Sequence, residues 1–197
     1  KQRNQIARDL VSLFHARFDP RESGRAREAE EKEILARIET ALSSVQSLDE
    51  DRILRRFANL ITSAVRTNFH QIAKDGGPRP TIAIKFESRK IDDLPLPRPL
   101  FEIFVYSPRV EGVHLRFGKV ARGGIRWSDR PQDFRTEVLG LVKAQQVKNA
   151  VIVPVGAKGG FVPKQMPANA SRDIVMAEGT DCYKVFIRAL LDITDNL

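Results

Sequence analysis

The apolar residues of this chain change their period near residue 81, and that change constrains what the chain can fold into. Before it they recur at helical spacing. Ile6, Leu10, Leu13, Phe14 and Phe18 form one stripe, and Ile34, Ile38, Ala41, Leu42 and Val45 a second. Ile53, Leu54, Phe57, Leu60, Ile61, Ala64 and Val65 form a third. "DPRESGR" separates the first two with helix breakers. Ser47, with Glu50 three residues on, has the spacing of a capping box and predicts the start of the third helix. "DGGPRP", residues 75–80, closes the helical part. From residue 81 the period is two. "TIAIKFE" places Ile82, Ile84 and Phe86 on one face. "FEIFVYS" and "VEGVHLRFG" follow as strands, the latter with Val113, Leu115 and Phe117 on one side, and the Pro-rich "IDDLPLPRPL" connects the first strand to these. "DFRTEVLGLVKAQQVKNA" returns to helical spacing, with Phe134, Val138, Leu141 and Gln145 on one face. "AVIVPVG" reads as a short buried strand, and a last helix runs from about Ser171, around Gly179. The pattern predicts an α/β fold: a helical segment over 1–75, then an α/β domain with a mixed sheet over 81–197.

Charge narrows the partners. The chain has 197 residues and a net charge of +8. Residues 112–170 hold ten basic and three acidic side chains, net +7, so one window carries nearly the whole excess. Such a field suits an anion: nucleic acid, phosphate or a small carboxylate. Aromatic residues in the window are few (Phe117, Trp127, Phe134 and Phe161), which gives no stacking platform for single strands. Cys182 is the single cysteine, which excludes an intramolecular disulfide, and no Cys/His pattern suits zinc. No run approaches the roughly 20 apolar residues that span a bilayer. "KQRNQIARDL" at the start lacks the apolar core of a signal peptide. A reducing, cytoplasmic setting without membrane contact is the expectation. His15, His70 and His114 are scattered, without a serine or cysteine partner by pattern, and read as structural or surface residues.

Two glycine clusters lie inside the basic window: "RGGIRW" and "PVGAKGGF". Neither is a dinucleotide G-x-G-x-x-G, and the lysine of "GAKGG" precedes its glycines, unlike a Walker loop. Lys158 follows the strand-like "AVIVP", and in α/β sheets ligands gather at the carboxyl ends of strands. A lysine that loses water among like charges favours its neutral form, which can act as a base or polarise a carbonyl. Glycines beside it let backbone approach a ligand closely.

"RGGIRW", "QQVKNA" and "PVGAKGGF", in this order, resemble the signature of glutamate dehydrogenases within the Glu/Leu/Phe/Val amino-acid dehydrogenases. That family carries a K-G-G-I-R segment, a helix ending in Q-x-x-K-N/D, and a P-x-G-G-A-K-G-G segment. The helical N-terminal part and the tryptophan after the arginine look most like the very long bacterial NAD-specific type. The resemblance implies a three-layer substrate domain and reversible oxidative deamination of L-glutamate to 2-oxoglutarate and ammonia with NAD. It implies that Lys158 is the catalytic lysine, that Lys148 holds the substrate α-carboxylate, and that Gln145 binds substrate beside it. Arg122 stands where smaller enzymes carry a lysine that meets the side-chain carboxylate, and Gly123 and Gly124 match the paired glycines. A homo-oligomeric full-length enzyme is implied too, with no nucleic acid and no metal.

Three departures from the family pattern stand out. Arg122 replaces lysine, and "PVGAK" is one residue shorter than the family segment. The family's catalytic aspartate has no match between Lys158 and Leu197, and NAD is expected to bind a domain outside this chain. The chain alone is therefore expected to be inactive. The alternatives at this level are a basic nucleic-acid-binding module and a non-catalytic oligomerisation or regulatory fragment.

Overall fold

The computed structural model describes residues 2–21, 24–119, 122–148 and 156–194. The expected strand "AVIVPVG" falls almost wholly outside them. Two compact units emerge: Lys1–Ala64 with Lys90–Asp92, and Val65–Arg89 with Asp93–Leu197.

The first unit is helical, with α1 (Gln2–Phe18), α2 (Gly24–Leu42) and α3 (Leu48–Ser63). Ile6, Leu10 and Leu13 of α1 meet Ile34, Ile38 and Leu42 of α2 in its buried core. These are the residues that helical spacing selects. Ser47 caps α3, its side chain accepting the Glu50 N–H, as the capping pattern predicts. The third stripe overruns the helix, however. Its apolar spacing continues through Ala64 and Val65, but the backbone turns extended at Ala64 and continues as β1 (Ala64–Thr67).

The second unit is built on a six-stranded mixed sheet. It comprises β1 with β2 (Ile82–Glu87), β3 (Phe101–Tyr106), β4 (Val110–Arg116), β5 (Ile125–Trp127) and β6 (Ala157–Pro163). The order is β1-β2-β3-β4-β6-β5. The pairs β2–β3, β3–β4 and β4–β6 are antiparallel, while β5 and β6 are parallel. A parallel neighbour needs a crossover, and α4 (Phe134–Lys148) supplies it. The α4 helix covers one face of the sheet, with Val138 and Val142 against Val113, Leu115 and Val162. The other face is covered by α5 (Arg172–Asp192), with Cys182, Phe186 and Ala189 against Val105, Val110 and Phe161. The domain is a three-layer α/β structure. Ser171 caps α5, where the sequence placed its start. Among the described residues no helix is long and apolar enough to cross a membrane.

Three local features go beyond what period shows. In β2 the buried residues are Ala83 and Lys85, while Ile82 is exposed and Ile84 and Phe86 are half-buried. Ala83 is small enough for α5 to close over it, and the Lys85 ammonium rests on the Phe101 ring. On α4 the buried residues are Phe134, Val138, Leu139 and Val142, and Leu141 is 39% exposed. Finally, the "AKGG" expected to follow a strand and face a ligand opens β6 itself. A Cβ on Gly159 would lie 2.6 Å from Ile125 Cδ1, and one on Gly160 would lie 2.4 Å from Val138 Cγ2. These two glycines admit protein neighbours from either face rather than a ligand.

Candidate functional site

The two glycine clusters meet. Residues 122–124 run alongside the start of β6, held by a ladder of backbone bonds. The Ala157 N–H donates to the Arg122 carbonyl at 3.1 Å, and the Gly159 N–H donates to the Gly124 carbonyl at 3.2 Å. Gly123 lies so close to β6 that a Cβ there would fall 1.4 Å from the Ala157 carbonyl oxygen. No side chain fits that space, so glycine is required by contact rather than by torsion. Gly124 has room: a Cβ there would sit 3.7 Å from Lys158 Nζ. The Lys158 amine therefore lies over Gly124, half-buried, on a residue paired with the fully buried Leu115 of β4.

Gln145 closes the arrangement from α4. Its Nε2 donates to the Arg122 carbonyl at 3.0 Å, and its amide lies against Gly156, where a Cβ would come 3.0 Å from Cδ and Oε1. Arg122, Gly123, Gly124, Gln145 and Lys158, singled out in the sequence, thus sit in one place. Lys148 ends α4 three residues after Gln145, so its backbone shares the Gln145 face of the helix. The Lys148 side chain lies outside the described residues, as do residues 149–155. Gly156 was missed, though its signal was visible as a third glycine beside "AKGG".

Lys158 stands elsewhere on its strand than expected. It is the second residue of β6, at the amino end of the parallel pair, not just beyond a carboxyl end. A cavity of about 760 Å³ occupies the carboxyl end instead, lined by Arg126, Trp127, Asp129, Val162, Lys164 and Met166 among others.

Several cations of the basic window are matched by carboxylates near this end. Arg126 donates to Glu137 at 2.9 Å. The Ser128 hydroxyl donates to the same carboxylate at 2.6 Å and, with Arg126, holds the Glu137 carboxyl below the usual carboxylate range. Arg130 pairs with Asp133. Arg135 grips Glu102 through two bonds of 2.7 Å. Lys164 meets Glu111 at 3.2 Å with its ammonium over the Tyr106 ring. Among the described residues no carboxylate pairs with Arg122 or Lys158. His114 faces away from Lys158, one residue from Leu115 along β4. Burial, and secondarily Arg116, pushes its imidazole down to about 4, so it is neutral at pH 7. No group of three His, Cys, Asp or Glu among the described residues could hold a metal ion.

Comparison with known proteins adds independent information. Residues 37–197 match the family described as bacterial NAD-glutamate dehydrogenase, catalytic domain. The chain is 60% identical over 194 residues to an NAD-specific glutamate dehydrogenase of Pseudomonas aeruginosa. It is 58% identical over 193 residues to one of Halomonas elongata, and 56% identical over 197 residues to one of Mycobacterium tuberculosis. These matches cover 96–98% of this chain and 12% of each relative.

Proposed function

The chain belongs to the bacterial NAD-glutamate dehydrogenase family, and on that premise we propose that it forms the substrate side of an enzyme that oxidatively deaminates L-glutamate. The products are 2-oxoglutarate and ammonia, and the reaction is reversible. The observation that carries the reading is the pair Arg122 and Lys158, cations without a carboxylate partner among the described residues, held at a glycine-lined meeting of three elements. Glutamate brings two carboxylates and needs a base. Arg122 takes the side-chain carboxylate, and its guanidinium can do so with two parallel bonds. Lys148 takes the α-carboxylate. Lys158 activates water and stabilises the carbinolamine through which nitrogen leaves. Gly123 and Gly124 keep the wall between Arg122 and Lys158 free of side chains.

NAD, when bound, accepts the two electrons removed from substrate. Among the described residues no strand leads through a glycine loop into a helix in the dinucleotide manner. We place NAD on a domain outside this chain, in a cytoplasmic homo-oligomer. Nucleic acid is the less favoured partner, because Arg126, Arg130, Arg135 and Lys164 of the basic window are held by carboxylates. The test is Lys158→Ala in the full-length enzyme, with kcat for glutamate expected to fall roughly 100-fold or more, on the scale of a lost general base. Near-normal turnover would sink the assignment.

A further inference from the structure

The strand β5 is three residues long, lies at the edge of the sheet and continues directly from residues 122–124. Its main chain does little to fix where along β6 it lies. The bonds of a strand pair recur every two residues, so a short strand after glycines could slip and form the same ladder. A slip of two residues moves each by about 6.6 Å, at about 3.3 Å per residue, and would carry Arg122 away from Lys158. Side chains must set the register. Arg126 is long and half exposed, so its pair with Glu137 can follow a shift. The Trp127 ring cannot. It stacks at 6.3 Å on Phe161, the residue paired with it across the strands. Its outer edge enters a notch at Gly179 of α5, where a Cβ would fall 2.2 Å from Cη2, 2.3 Å from Cζ3 and 2.7 Å from Cζ2. The ring is thus held by β6 on one side and by the bare backbone of a helix on the other.

We infer that Trp127 is a positioning residue for Arg122, with Gly179 as its seat: the ring sets the register of β5 on β6 and so sets where the guanidinium stands relative to Lys158. This rests on the proposed role of Arg122. Trp127 acts from the α5 face of the sheet, where it packs with Phe161, Cys182 and Phe186. Lys158 is paired with Leu115, which belongs to the α4 face. Lys158 stands on β6 and Lys148 on α4, so a displaced β5 moves Arg122 and leaves both lysines in place. The effect therefore falls on a substrate with a side-chain carboxylate and spares one without.

The experiment uses the full-length enzyme and measures kcat/KM for L-glutamate and for L-norvaline, which lacks the side-chain carboxylate. The variants are Gly179→Ala, Trp127→Phe, their combination, and Arg122→Ala. Alanine suits a helix interior better than glycine, so a loss in Gly179→Ala comes from the displaced ring. That variant is expected to lower kcat/KM for glutamate roughly 10- to 100-fold, the scale of an ångström-size misplacement, and to change norvaline little. Trp127→Phe keeps a ring on Phe161 but withdraws the edge that fills the notch, and should give a smaller loss of the same kind. In the combination the alanine methyl takes the vacated space, so glutamate activity should recover above that of Gly179→Ala, as expected of two residues acting as a unit. Equal losses for both substrates, an unchanged glutamate rate in Gly179→Ala, or losses that multiply in the combination would each overturn the inference. Should Gly179→Ala fail to fold, Trp127→Phe decides alone, and an unchanged glutamate-to-norvaline ratio there overturns it. If Arg122→Ala itself leaves that ratio intact, the reading of Arg122 fails. If the ratio collapses with Arg122→Ala but holds in the Trp127 and Gly179 variants, only the role of Trp127 fails.

Discussion

Toward the carboxyl end of the β5–β6 pair and on the adjoining α4, Arg126, Arg130, Arg135 and Lys164 each meet a carboxylate. At the amino end, Arg122 and Lys158 meet none among the described residues, although they belong to the same basic window. The difference separates two uses of one residue type. Cations that hold structure are matched by the chain's own anions, and removing the match leaves a charge whose desolvation is no longer offset. On the proposed function, Arg122 and Lys158, unmatched beside bare backbone, take their counter-charge from outside, and a dicarboxylate supplies two. Net charge alone could not show this, because both groups count equally toward +8.

The strongest way to break the comparison is to damage the unmatched end by shape alone. Gly123→Ala adds one methyl group where Ala157 oxygen already lies, 1.4 Å away, so residues 122–124 must move off β6. In the full-length enzyme kcat/KM for glutamate should fall roughly 100-fold, as for an ångström-scale misplacement. Gly124→Ala, with 3.7 Å to spare before Lys158 Nζ, should cost far less. Equal effects would mean the arm is not held where these contacts put it. At the matched end, Glu137→Ala should act on stability: about 1–2 kcal/mol lost in urea unfolding, with kcat retained. The Glu137 carboxyl titrates lower when folded, chiefly because Ser128 donates to it. Its contribution is therefore present above the ordinary carboxylate range and disappears as acid protonates the folded carboxylate. A destabilisation that is as large at pH 2 as at pH 7 would contradict that origin. The smallest effect is expected from Lys164→Met, since the pair with Glu111 is a third exposed on both sides and such pairs contribute little. Its melting temperature and glutamate kinetics should match wild type, and a loss of activity would move Lys164 into the unmatched group.

Much of this architecture was written in local pattern. The stripes Ile6–Leu13 and Ile34–Leu42 became the helical core because a face of apolar residues at 3.6 spacing has one way to be buried. Val113 and Leu115 turned inward as alternation requires. What escaped was decided by neighbours far along the chain. Nothing between Leu60 and Val65 announces a helix end; the switch to strand follows from β1 having β2 to pair with. β5 is three residues long and flanked by glycines and a polar loop, too short for any period to show. The glycines of β6 looked like room for a ligand because the residues that need their space, Ile125 and Val138, lie on other elements. The cluster of Arg122, Gln145 and Lys158 was legible as three ordered motifs. That Gln145 donates to the Arg122 carbonyl was not, since motif spacing carries no side-chain direction.

Trp127 gives the molecule an optical reporter. It is the sole tryptophan of the chain. Its ring stacks on Phe161 at 6.3 Å, and its far edge fills the space where Gly179 of α5 has no side chain. It also sits three residues from Gly124, at the other end of the three-residue strand that continues the Arg122 arm. The indole emission of this chain therefore comes from one half-buried ring wedged between sheet and helix. A shift of β5 along β6, or a lifting of α5, changes the polarity around that ring directly, so its fluorescence reads the seating of the strand on which the arm depends.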